Sequence, residues 1–120
     1  MNTKLRGSWG EALALEYLRS NGYTPVSMGY RTRHGEIDII VSDRRYIVFV
    51  EVKLRKNDRF AEAREAVTGA KQEKLRKTAA LWLSVNETEL QPRFDVIEIY
   101  APDGLTTKSP KITHLEDAFN

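Results

Sequence analysis

The chain has 120 residues, 41% hydrophobic and 30% charged, with 7 Gly, 4 Pro and no Cys. That length holds one domain with a real core and little room for a second, and the balance excludes a disordered, collagenous or low-complexity protein. Without cysteine there is no disulfide framework, Cys-based zinc site or thiol nucleophile, and a net charge of +2 by itself points to no partner.

No apolar run approaches the roughly 20 residues of a membrane helix. Residues 1–9 contain no apolar secretory stretch. The expectation is a soluble cytoplasmic domain with no membrane partner.

Residues 8–19 read as a helix. Trp9, Leu13 and Tyr17 form one stripe, and Ala14, Leu15 and Leu18 another beside it. Ser8 followed by Glu11 has the spacing of a capping box, and Asn21-Gly22 stops the helix. Residues 23–30 form a first strand, entered through Pro25. Residues 35–41 (Gly-Glu-Ile-Asp-Ile-Ile-Val) form a stronger one, because β-branched residues alternate with acids. A turn at 42–45 leads into 46–54, the most apolar run, which reads as a central strand buried on both faces. The short turn makes these two strands an antiparallel hairpin. A helical stretch runs from about 60 to 83, interrupted near Thr68-Gly69, with Leu75, Thr78, Ala79 and Trp82 on one face. Pro92 ends the next loop. Residues 93–100 form a strand, Pro102-Asp103-Gly104 turns the chain, and 111–115 is a weak last strand. The order α-β-β-β-α-β-β predicts an α/β fold in a single domain over 1–120: a mixed sheet of four to five strands flanked by helices.

The charge is unevenly spread. Residues 53–77 hold nine basic and four acidic side chains, a local +5 that leaves −3 for the remainder. A near-neutral total can hide a basic face beside an acidic site.

The chemistry concentrates on the hairpin. Residues two apart on a strand share a face, which pairs Glu36 with Asp38 and Glu51 with Lys53. An ionised carboxylate at the end of an apolar strand needs a cation, a donor or a metal. The hairpin brings Asp38 near Glu51 and Lys53. Such a set suits metal-assisted phosphodiester hydrolysis, in which carboxylate oxygens hold Mg²⁺ through few direct ligands and a lysine orients water or stabilises charge on phosphorus. The plainer alternative is a group of cross-strand salt bridges on a solvated face. Glu36 is either an additional metal ligand or a solvated strand-end acid. Lys71, four before Leu75, heads an apolar stripe and points toward the same sheet end. His34 is a phosphate contact or a surface residue. Asp95 reads as a structural partner of Arg93, Trp9 and Trp82 as core, and Tyr30 as a base-stacking candidate.

Gly35-Glu36-Ile37-Asp38, then Phe49-Val50-Glu51-Val52-Lys53 with Arg55, and Arg93-Phe94-Asp95-Val96 together resemble the YraN-like family of small uncharacterised bacterial proteins. The likeness extends to Gly7, Gly10, Glu11 and Ala14, and to Ala66, Val67 and Lys71. That family is similar to archaeal Holliday-junction resolvases and carries the restriction-endonuclease-like PD-(D/E)xK core, with Ile37 here where the motif's name has proline. The resemblance implies that Asp38 and Glu51 bind metal, that Lys53 is the catalytic lysine, and that Glu11 completes the site. Glu11 has support of its own: with Leu15 and Leu18 it heads a stripe facing the core. The function implied is a Mg²⁺-dependent endonuclease, with Mn²⁺ as a substitute, acting on branched or damaged DNA. Arg31, Arg33, Arg55, Lys56 and Lys71 would hold phosphates without reading sequence. The same likeness implies a homodimer. The alternatives are a nucleic-acid-binding module without hydrolysis and a salt-bridged structural domain.

Overall fold

The two apolar runs pair around a turn held by one side chain. Asp43 Oδ1 accepts from the backbone N–H of Arg45 at 2.8 Å and of Tyr46 at 2.7 Å, so β2 (Gly35–Ser42) reverses into β3 (Tyr46–Arg55). Their ladder runs from Ile39↔Val50 to Ser42↔Ile47. The computed structural model describes residues 3–56 and 67–120. Within them β1 (Thr24–Thr32), β2, β3, β4 (Gln91–Tyr100) and β5 (Lys111–Phe119) form one sheet in the order β1-β2-β3-β4-β5. Neighbours are antiparallel except β3 and β4, which are parallel. That parallel step needs a long connection, and α2 (Gly69–Val85) lies in it. Helix α1 (Thr3–Ser20) precedes the sheet, and one 3-10 turn (Gly104–Thr106) separates β4 from β5. The mixed α/β sheet flanked by helices is the architecture the element order predicts.

Each face of the sheet has its own core. On one, α2 lays Leu75, Ala79 and Trp82 over Ile40, Ile47, Phe49 and Val96. On the other, α1 lays Ala14 and Leu18 over Ile39, Val41, Val48, Val50, Ile97 and Ile99. Strand β3 feeds both cores, which is why it reads as an unbroken apolar run. Trp82 is buried and Trp9 packs against the α1-side core, as predicted. No helix among the described residues is long and apolar enough to cross a membrane.

Several local expectations change. Helix α1 begins at Thr3, so Ser8 is an exposed residue inside it and cannot cap it. The first turns carry no apolar period, and the pattern therefore placed the start late. The break at Thr68-Gly69 is a helix start: Thr68 is extended (φ −66°, ψ 165°) and its hydroxyl accepts from the Lys71 N–H. The buried face of α2 is Leu75, Thr78, Ala79 and Trp82, as predicted, while the helical expectation for 60–66 lies outside the described residues. Pro92 sits inside β4 opposite Ile47. Strand β5 pairs only from Phe94 onward, so the missing proline N–H leaves no gap in that ladder. Strand β5 runs past 115 to Phe119, with Asp117 at a φ of 51°. Two acids at 116–117 hid that extension in the sequence.

Candidate metal centre

Strand alternation breaks at Asp38. Ile37 belongs to the α2-side core and Ile39, two residues on, to the α1-side core. The backbone ladder to β3 stops at Ile39, and past it Asp38 Oδ2 accepts the Val52 N–H at 2.8 Å. A side chain replaces a strand carbonyl there, which turns the Asp38 carboxyl toward β3. Burial and the neighbouring Glu51 carboxyl, with a smaller push from the charge of Glu11, raise the Asp38 carboxyl to about 8, against the opposing pull of the Val52 N–H.

Glu51 is 4% exposed at the end of the apolar run. Its Oε2 is buried and makes no hydrogen bond, although Lys71 Nζ lies 3.3 Å away and Lys53 Nζ 3.5 Å. These are ion-pair distances without hydrogen-bond geometry. Glu11 arrives from α1. A Cβ on Gly10 would stand 3.1 Å from Leu54 Cδ2, so α1 packs closely on β3 beside Glu11. Burial raises the Glu11 carboxyl, and the charges of Glu36 and Glu51 add to it. Glu11, Asp38, Glu51, Lys53 and Lys71 line one cleft of about 360 Å³. A wider depression of about 900 Å³ near the end of α2 is lined by Leu83, Leu90, Pro92 and the acids Glu87 and Glu89, with no cation to meet an anionic substrate.

The other predicted residues divide. Glu36 is paired with Arg31, its Oε2 3.1 Å from a guanidinium that stays largely exposed. Arg55 is tied to Glu98 at 2.6 Å, a partner supplied by the parallel neighbour β4 and invisible to hairpin reasoning. Arg33 and Lys56 are exposed. Tyr30 is partly buried and packs against the α2-side core. The backbone N–H of His34 bonds to the Thr32 hydroxyl at 3.0 Å. Gly35 abuts α2, since a Cβ there would be 3.6 Å from Lys74 Cβ and 3.3 Å from the Thr78 hydroxyl; the β1–β2 turn carrying Arg33 thus leans on the helix that carries Lys71. Asp95 is structural, bonded by Arg93 and His114.

Among the described residues no three His, Asp or Glu side chains converge at metal-binding spacing. The direct ligands on offer are Asp38 and Glu51. That donor set fits Mg²⁺, a hard cation usually held by one or two carboxylates with waters completing its shell. The unbonded Glu51 Oε2 and the raised Asp38 carboxyl are both features a divalent cation would satisfy.

Comparison with known proteins follows the same residues. The model of the family described as Uncharacterised protein family UPF0102 matches residues 10–99, a span that contains all five charged residues of the cleft. A UPF0102 protein of Thermodesulfovibrio yellowstonii is 42% identical over 113 residues, 94% of each chain. One of Syntrophomonas wolfei is 42% identical over 120 residues, 99% of this chain and 100% of its own. One of Vibrio parahaemolyticus is 49% identical over 96 residues, 78% of this chain and 79% of its own. The chain belongs to the UPF0102 family, the YraN-like proteins that its Gly-Glu-Ile-Asp and Phe-Val-Glu-Val-Lys segments resemble.

Proposed function

We propose that this chain is a metal-dependent endonuclease of the restriction-endonuclease-like PD-(D/E)xK type, similar to the archaeal Holliday-junction resolvases. Its substrate is branched or damaged DNA, its metal Mg²⁺ with Mn²⁺ as a substitute, and its place the cytoplasm. The observation that carries the reading is the buried, unbonded Glu51 Oε2 beside Asp38, with two lysine ammoniums at the mouth of the same cleft.

Asp38 and Glu51 hold the metal, which when bound polarises a phosphoryl oxygen and acidifies a water. Lys53 sits two residues beyond Glu51 and supplies donors that orient the attacking water and stabilise charge gathering on phosphorus. Glu11 is a desolvated carboxyl whose raised proton affinity suits it to hold a proton taken from that water. Lys71 in the cleft, with the exposed Arg33 and Lys56 outside it, meets phosphates without reading bases. Arg31 and Arg55 are engaged by Glu36 and Glu98 and serve to orient those acids.

The test is purified protein on a panel of branched, nicked and single-stranded DNA with Mg²⁺ or Mn²⁺. Cleavage is expected, falling about 10²-fold or more in Asp38→Ala and Lys53→Ala. Absence of any cleavage that both substitutions abolish overturns the reading. The two ammoniums already facing Glu51 favour a second one, a DNA-binding module without hydrolysis. That module predicts salt-sensitive binding that ignores both metal and Lys53→Ala. A homodimer follows from the resolvase likeness, and sedimentation at several concentrations checks it.

A further inference from the structure

We propose, resting on the nuclease reading, that Lys71 is the resident counter-ion of Glu51 in the metal-free protein, and that a divalent cation expels it toward the substrate phosphate. Two ammonium groups, at 3.3 and 3.5 Å, face one buried carboxylate oxygen. That is one positive charge more than a single carboxylate needs. Neither makes a hydrogen bond to it, so each is held by charge alone.

The two lysines differ in how they reach it. Lys53 is on β3, two residues from Glu51, and its stem cannot leave that strand end. Lys71 comes from the first turn of α2 across the layer boundary. Its backbone N–H is anchored on the Thr68 hydroxyl at 3.2 Å, while its side chain remains 41% exposed. The base is fixed and the tip is free to swing. A divalent cation between Asp38 and Glu51 sets a like charge within a few ångströms of both tips. Lys71 is the one with somewhere to go: the outer face of α2, where Lys74 is exposed and the β1–β2 turn bearing Arg33 leans in at Gly35.

Metal binding and phosphate binding are then linked. The cation frees a lysine for phosphate, and a phosphate that holds this lysine removes the cation's competitor. Linkage of this kind is reciprocal.

The experiment titrates Mn²⁺ by calorimetry into the wild type, Lys71→Met, Lys71→Gln and Asp38→Asn, with no DNA present. Both Lys71 variants keep most of the stem at a partly exposed position. They are expected to bind Mn²⁺ about three- to tenfold tighter than the wild type, the effect of removing one nearby like charge. In parallel, anisotropy of a labelled duplex at fixed ionic strength, with and without Ca²⁺, reads the linkage. Ca²⁺ should tighten DNA binding by the wild type and do so less for either variant. Unchanged or weaker Mn²⁺ binding by both variants overturns the role of Lys71 alone, provided that Asp38→Asn still abolishes wild-type binding. Wild-type binding that is absent, or indifferent to Asp38→Asn, overturns the metal centre and this proposal together.

Discussion

At the scale of single residues the informative group is Asp38. Its carboxyl is held at about 8, far above the 3.8 of an ordinary aspartate, by burial and by Glu51. Below about 4 the folded and unfolded chains are both protonated there, and the residue contributes nothing to the pH dependence. Between about 4 and 8 the unfolded chain releases a proton that the folded chain retains, so stability falls as pH rises. Above about 8 both forms are ionised and the loss is complete. The size is on the order of a few kcal/mol, since one pKa unit is about 1.4 kcal/mol. Thermal melts of the metal-free protein from pH 4.5 to 8 should therefore show a declining Tm. Asp38→Asn, which carries no proton to lose, should flatten that decline. On the proposed metal reading, saturating Mn²⁺ should flatten it too, because a cation held by Asp38 would take the place of its proton. A wild-type Tm that rises through this interval would refute the assignment.

At the scale of elements, the meeting of α1 with β3 sets where Glu11 stands. Gly10 and Leu54 are in contact so close that an added Cβ would lie 3.1–3.4 Å from three Leu54 side-chain atoms. Leu54 is only half-buried and can yield by a few tenths of an ångström. Gly10→Ala should thus lie near zero, its strain offset by about 1 kcal/mol of helix propensity. Gly10→Val adds branched bulk that Leu54 cannot escape and should cost about 1–3 kcal/mol. Denaturant melts of Gly10→Val, Leu54→Ala and the double variant check this, with a double mutant more stable than the sum of the two losses. The same element pair shows what could be read from the chain. Glu11 and Lys71 were legible because each heads an apolar stripe, and a stripe's heading residue is carried toward the sheet. The 35–54 hairpin was legible because alternation and a four-residue turn are local signals. The acidic partners of Arg55 and Arg31, Glu98 and Glu36, were not legible because they depend on strand register. For Arg55 that register is parallel and set by the α2 crossover. The start of α1 was lost for a different reason: the sequence Thr3-Lys4-Leu5-Arg6-Gly7-Ser8 carries no apolar period.

At the scale of the whole molecule, the buried charged side chains among the described residues, Glu51, Arg93 and Asp95, fall into two clusters of opposite character. On the α1 side, Asp95 accepts from Arg93 Nε at 2.9 Å and Nη2 at 2.8 Å, from the Asp117 N–H at 3.0 Å, and bonds to His114 Nε2 at 2.7 Å. Arg93 also donates to the Tyr23 hydroxyl at 2.7 Å and lies 4.6 Å from the Tyr46 ring centre, and His114 bonds to Tyr17. Burial works to raise the Asp95 carboxyl, but the bonds from His114, Arg93 and the Asp117 N–H outweigh it and hold the group below the usual range. Its contribution is therefore present above about pH 4 and lost as pH falls through the lowered value. Every polar atom named there has a partner, and the cluster ties α1, β4 and β5 together. The cleft cluster is the reverse: Glu51 Oε2 is unbonded, Asp38 needs a proton, and two ammoniums crowd one oxygen. A saturated network rigidifies, whereas an unsaturated one is completed by something that arrives. Arg93→Met should leave the buried Asp95 carboxylate without its guanidinium, held only by His114 and the Asp117 N–H, and lower stability by about 3 kcal/mol. It should leave the Mn²⁺ affinity of the folded fraction within about twofold, because Asp95 faces the α1 side while Glu51 meets Lys71 of α2. Denaturant melts paired with Mn²⁺ calorimetry decide it. A large loss of metal affinity without a loss of stability would show that the two clusters are coupled through β3 and β4, and that Asp95 belongs to the site.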